Sequence, residues 1–246
     1  MSEPGAAEAR ARERAQFIAT VSHDLKTPLN AVVGFTSVLL LDLQGTEAGK
    51  KLGLVYDSAR LMLERINALV ELHRLEAGVL APQPDWLFPG ELLLQAAEEA
   101  RAAAEGKGLA LAAEPRGGPA RLRTDLRLVQ RALRELVSNA VRFSRQGEIR
   151  LGLGLEAGGR PGARRVRFWV HDPGVGMKPA QLAELRAAFE PAQAPLAWPF
   201  QGLGLGLALA RQAARALGGW LEVEAPPEHG CRFSLVLELD EADLES

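Results

Sequence analysis

The chain has 246 residues, 47% hydrophobic and 24% charged, with a formal net charge of −2. That is enough apolar material for one large core or two modest ones, and it excludes a chain disordered throughout. The near-neutral balance excludes nucleic acid or an anionic membrane as the expected partner, and a single cysteine, Cys231, excludes a disulfide framework or a cysteine metal cluster.

The first residues, MSEPGAAEARARERAQ, lack the apolar core of a signal peptide and form a charged lead-in over residues 1–14. From about Glu8 to Asp42 the pattern predicts one long helix. Ile18, Val21, Leu25, Pro28, Val32, Phe35 and Leu39 alternate by threes and fours, the seam of a helix packed on another. His23 lies about 200° round from Val21, so it leaves the seam and faces water, with Thr27, Asn30, Gly34 and Ser37 along the same polar stripe. Pro28 removes one backbone hydrogen bond and crowds the carbonyl of Asp24, at roughly 3 kcal/mol. An exposed imidazole with an acid beside it and a hydroxyl one turn on is a candidate nucleophile site; the plain alternative is a solvated histidine.

LQGTEAGK reads as a turn, and a second helix follows from about Lys50 to Glu76. Its apolar residues Leu52, Val55, Ala59, Met62, Ile66 and Leu69 have the same spacing, and Gly78 ends it. Two antiparallel helices with one seam each bury little alone, so a homodimeric four-helix bundle is expected. His73, on the continuation of the second seam, reads as a half-buried packing residue.

The Pro-rich APQPDWLFPGE marks a boundary between residues 15–80 and residues 81–246. Beyond it the expectation is a helix Pro89–Glu105, a strand near Leu109–Ala113, a turn at Arg116–Pro119, and a helix capped by Thr124 or Asp125 and running to Phe143. Strands near Glu148–Leu155 and Arg164–His171 follow, then a helix near Pro179–Phe189, a helix Gly204–Leu217, and strands near Trp220–Glu224 and Arg232–Leu239. Helices and strands without regular alternation indicate an α+β layer sandwich. Cys231, beside Phe233, Leu235 and Val236, reads as a buried thiol. No apolar run approaches the roughly 18 residues of a membrane span, so a cytoplasmic location is expected, and these 246 residues leave no room for an input domain.

Three segments of the second domain carry candidate chemistry. In LRELVSNAVRF, Glu135 and Asn139 stand four apart on one helix face, a hard-oxygen pair suited to Mg²⁺, and Arg142 could reach a phosphate; the alternative is a polar helix face. In VHDPGVGM, Asp172 follows a strand, a carboxylate able to accept from an exocyclic amine, and Gly174 and Gly176 let the backbone turn beside a flat ligand. His171 reads as an orienting or exposed residue. In GLGLGLALA, Gly202, Gly204 and Gly206 open a helix whose free N–H groups suit phosphate; the alternative is a hinge. Neither a dinucleotide fingerprint nor a P-loop is present.

SHDLKTPLN resembles the phosphoacceptor motif of sensor histidine kinases, Ser-His-Asp/Glu-Leu-Arg/Lys-Thr-Pro-Leu. RLEAG at Arg74–Gly78 and RTDLRLVQRALRELVSNAVRFS resemble further family segments. The order of Asn box, DxGxG, Phe189 in AFEP and GLGLGLAL looks like the ATP-binding domain of those kinases, a GHKL-type fold shared with gyrase, heat-shock chaperone and mismatch-repair ATPases. The resemblance covers about Phe17 to Leu239. It implies a dimerisation and histidine phosphotransfer domain (15–80) and a catalytic ATP-binding domain (81–246). Asn139 would coordinate Mg²⁺, Asp172 would bind adenine and Arg142 would contact phosphate. Gly174, Gly176, Gly202, Gly204 and Gly206 would shape pocket and lid.

The implied reaction moves the γ-phosphoryl of Mg-ATP to His23, with Asp24 holding the proton on the other ring nitrogen, and then to an aspartate of a response regulator receiver domain. Thr27 matches the position that orients water for the reverse, phosphatase reaction. Two departures stand out: Glu135 where many members have Asn, and a segment after Phe189 in which Ala192 replaces an aromatic and no basic residue occurs between Arg186 and Arg211. They keep two rivals open, a dimeric phosphotransfer scaffold with a decayed lid and a plain ATPase hydrolysing through Glu135.

Overall fold

A computed structural model of the chain describes the backbone of residues 3–76, 81–190, 204–225 and 230–245. The chain divides into two compact units, Met1–Leu80 and Ala81–Ser246.

The first unit is a hairpin of α1 (Glu3–Asp42) and α2 (Glu47–Glu76), packed on each other. The turn is tight. Gly45 takes φ +77°, and Thr46 caps α2 by accepting from the Gly49 N–H at 2.9 Å. Helix α1 continues past Pro28, so the proline does not end it. The Thr27 hydroxyl donates to the His23 carbonyl at 3.3 Å one turn back.

The expected α1 seam is not the face that packs on α2. Ser22 and Thr36 are buried and Leu29, Val33 and Leu40 half-buried. Val21, Leu25, Val32, Phe35 and Leu39 are instead 39–74% exposed. On α2 the expected set splits: Ala59 is buried and Leu52 and Ile66 half-buried, whereas Val55, Met62 and Leu69 are exposed. The packed line mixes Ser22 and Thr36 with Leu29, Val33 and Leu40, and the second apolar stripe is left facing outward. The Ile18 side chain and Gly78 lie outside the described residues.

The second unit contains β1 (Asp85–Leu87), α3 (Pro89–Glu105), β2 (Ala110–Glu114), β3 (Arg121–Thr124), α4 (Leu126–Phe143), β4 (Glu148–Ala157), β5 (Ala163–Asp172), α5 (Pro179–Phe189), α6 (Gly204–Ala216), β6 (Trp220–Glu224), β7 (Cys231–Asp240) and β8 (Leu244–Glu245). A five-stranded sheet runs β2-β4-β5-β7-β6; β2 is parallel to β4 and the other pairs are antiparallel. Helices α3, α4 and α6 pack against it and one another. Alternation decides the faces: Val166, Phe168 and Val170 of β5 pair with Leu155, Leu153 and Leu151 of β4 and with Leu237, Leu235 and Phe233 of β7. Most of these are fully buried under α4, whose Leu133 and Leu136 are at 0% exposure. On the other face the Trp169 indole lies over Gly152, where a Cβ would fall 2.0 Å from the ring, and Arg232 stacks on that indole at 5.0 Å.

A second, three-stranded antiparallel sheet, β1-β3-β8, is an addition to the sequence expectation. Its first strand lies inside the Pro-rich stretch read as a boundary, with Asp85, Trp86 and Leu87 paired to Thr124, Arg123 and Leu122.

Candidate functional site

Helix α4 is the support of the second unit's site. Its N-cap is Asp125, of the two candidates named from sequence. The Asp125 carboxylate is almost wholly buried and accepts from the N–H of Arg127 at 2.9 Å and of Leu128 at 3.3 Å. It also accepts from the N–H of Gln83 at 2.7 Å and from the Arg127 guanidinium at 2.9 Å, so the cap ties the start of the unit to α4. Burial works to raise its pKa; Arg127 and the Gln83 and Leu128 N–H groups outweigh burial and hold it below the ordinary value. At the other end, the Lys107 ammonium donates to the carbonyls of Val141 and Arg142 at 2.8 and 3.2 Å, a cation on the negative end of the helix.

Glu135 and Asn139 occupy one face of α4 as the spacing requires, Asn139 buried and Glu135 half-buried. Glu135 is in an ion pair: its Oε1 lies 3.1 Å from Arg131 one turn earlier, with both side chains about one-fifth exposed (19% and 18%). Its Oε2 lies against the first turn of α6, where a Cβ on Gly206 would stand only 2.3 Å away. A side chain at 206 would therefore push the Glu135 carboxylate from its present place. Gly204 is the first residue of α6; Gly202 and Ala192 lie outside the described residues. Arg142 is exposed at the end of α4, its guanidinium 5.3 Å from the Phe143 ring centroid. Phe189 is buried at the end of α5.

Asp172 ends β5 and is 5% exposed. Its Oδ1 accepts from the Gly174 N–H at 2.9 Å. Burial pushes its carboxyl above the ordinary range, against the opposing pull of the Gly174 and Cys231 N–H groups and of His171. Gly176 follows in the same loop. Gly230, which sequence reasoning did not single out, closes this corner: at φ +82° a Cβ there would fall 1.8 Å from the Asp172 carbonyl oxygen. Cys231, its neighbour, is buried as expected, and burial pushes its thiol up to about 12. The unit thus presents a buried acceptor carboxylate, a buried amide on α4 and a glycine-opened helix start. Among the described residues no group of three or more His, Cys, Asp or Glu gathers to hold a metal.

In the hairpin unit, His23 is 82% exposed and its Nδ1 lies 3.3 Å from Asp24 Oδ1, itself 76% exposed. With Nδ1 turned to the carboxylate, Nε2 is left to solvent. Thr27 stands one turn along. His73 is half-buried, its Nδ1 donating to the Leu69 carbonyl at 2.9 Å. No helix among the described residues is long and apolar enough to cross a membrane.

Comparison with known proteins follows the same division. Residues 13–78 match the His Kinase A (phospho-acceptor) domain, and residues 124–241 match the histidine kinase-, DNA gyrase B- and HSP90-like ATPase. The sensor protein GacS of Pseudomonas syringae pv. syringae is 31% identical over 232 residues, covering 94% of this chain and 26% of that protein. The autoinducer 2 sensor kinase/phosphatase LuxQ of Vibrio cholerae is 31% identical over 235 residues, covering 95% of this chain and 27% of its own length. The chain therefore spans about a quarter of the length of these relatives. Among solved structures, full-length ShkA in complex with AMPPNP superposes with a TM-score of 0.67 at 27% identity, over 90% of this chain and 45% of that one. The phospho-acceptor match on the helices that carry His23, the ATPase match on the sandwich that carries Asn139 and Asp172, and relatives similar over nearly the whole chain lead to one conclusion: this chain belongs to the sensor histidine kinases.

Proposed function

We propose that this chain transfers the γ-phosphoryl group of ATP to His23 and hands it on to an aspartate of a response regulator receiver domain, acting as a homodimer. The observation that carries the reading is His23 itself: the imidazole is exposed, and an adjacent carboxylate faces one ring nitrogen and leaves the other open. A proton held on Nδ1 by Asp24 keeps the lone pair on Nε2, the form that attacks phosphorus. In the other unit, Asp172 is the acceptor for an exocyclic amine of a purine, and the buried carboxylate selects that donor. Asn139 offers an amide oxygen on the same helix. Magnesium takes one or two protein ligands and fills the rest of its shell with phosphate and water, so a lone amide fits it. The bound ion would neutralise phosphate charge. Thr27, one turn along from His23, would orient water toward a phosphorylated regulator, giving a phosphatase activity as well.

The test is incubation of the chain with γ-labelled ATP beside the His23→Gln variant. The wild type should acquire label that is lost in acid and kept in base, and the variant none. Equal labelling of both would sink the assignment.

A further inference from the structure

Glu135 is the one side chain on the site face of α4 that could accept a proton from water. Hydrolysis through it would have water bond to the γ-phosphorus while giving its proton to the carboxylate. The bond from phosphorus to the β–γ bridging oxygen would break, leaving ADP and inorganic phosphate. In this chain the carboxylate is hemmed in on both sides: Oε1 faces the Arg131 guanidinium at 3.1 Å, and Oε2 lies close against the α6 start at Gly206. A guanidinium favours a neighbouring carboxylate's ionised form and opposes its taking up a proton. Both side chains are about four-fifths buried, so solvent screens the pair only in part. A water that used Glu135 would have to compete with the Arg131 charge for the carboxylate.

We propose that Arg131 is a positioning residue that withholds Glu135 from water, so that the γ-phosphoryl group is spent on His23 and not on hydrolysis. The inference rests on the kinase reading above for its consequence, and on the α4–α6 geometry for its chemistry. It distinguishes this chain from a hydrolase by the partner of the glutamate, not by the glutamate itself.

The test uses the full chain in the His23→Gln background, so that released phosphate comes from ATP and not from phosphohistidine. Arg131→Gln should raise phosphate release at least about tenfold, a fraction of the hundredfold or more that a positioned base supplies. The added rate should fall away as pH drops through the carboxylate range. Arg131→Lys, which keeps the charge, should stay near the parent, and Glu135→Gln added to Arg131→Gln should abolish the gain. A smaller rise in a variant that still binds nucleotide overturns the proposal, as does a rise that survives Glu135→Gln. Arg131→Met, which keeps the packing of the stem, replaces the glutamine variant if that fails to fold. Loss of folding in both would show a structural role and overturn the proposal too. A wild type that never labels His23 overturns the kinase reading alone, because phosphate release in the Arg131 variants is read without it.

Discussion

Replacing Asp125 by alanine tests how far the site depends on the start of its helix. The side chain caps two N–H groups of α4 and accepts from the Gln83 N–H, 42 positions earlier, at 2.7 Å. Loss of an N-cap costs about 1 kcal/mol, and leaving a part-buried N–H without its acceptor costs about as much again or more, so D125A should lose about 2–3 kcal/mol. The exposed arm of Arg127 adds nothing to that figure. Urea unfolding of wild type and variant at pH 7 measures it. D125N, which keeps an oxygen for the cap, should lose less. The pH dependence follows from the sign of the shift. Asp125 titrates below its ordinary 3.8 in the folded state, so its contribution is present above that value and fades as pH falls through the lower, folded value. The gap between wild type and D125A should therefore shrink in acid. Because α4 also carries Glu135, Asn139 and Arg142, nucleotide affinity should weaken in D125A. A variant within about 0.5 kcal/mol of wild type, the range of an ordinary surface change, would refute the reasoning.

Four further outcomes are expected. Asp172→Asn should weaken binding of a non-hydrolysable ATP analogue by about ten- to a hundredfold in calorimetry, the worth of a hydrogen bond to a charged group. Its stability at pH 7 should equal or exceed wild type, because a carboxyl whose folded pKa is raised loses stability on ionising. Gly230→Ala should destabilise by about 2 kcal/mol or more and lower nucleotide affinity, since the added carbon meets the Asp172 carbonyl in a left-handed backbone. Cys231 should resist iodoacetamide at pH 8 in the native state and react fully in urea, given a thiol pushed to about 12; rapid native labelling would contradict that. Thr27→Ala should slow dephosphorylation of a phosphorylated regulator while His23 still takes label from ATP; equal loss of both would remove Thr27 from that role.

What could be read from sequence was what repeats locally. The Asp125 cap, the four-residue step from Glu135 to Asn139, the alternation along β4 and β5 and the exposure of His23 are all set by neighbours within a turn or a strand. The β1-β3-β8 sheet was not legible, because strands of three, four and two residues are too short to show a period, and β3 finds β8 more than a hundred positions away. Apolar residues occur on two faces of α1, and their spacing alone does not say which of the two meets α2. Gly230 sits in an unremarkable EHG, and only the fold sets it on the Asp172 carbonyl. Arg131 could have been paired to Glu135 by spacing alone; the contact of that carboxylate with Gly206 could not.

If the outward stripe of Val21, Leu25, Phe35 and Leu39 is the contact of the proposed homodimer, the two halves of this chain answer differently to dilution. Covering each such side chain contributes a part of the roughly 1.5–3 kcal/mol of full burial, and in the proposed homodimer the stripe of a second copy supplies that cover. The helical half then holds its shape as a function of copy number, in the manner of a reaction of second order, while the sandwich, with a core of its own, is indifferent to it. In such a homodimer, scarcity alone would melt the helical half and leave the sandwich standing.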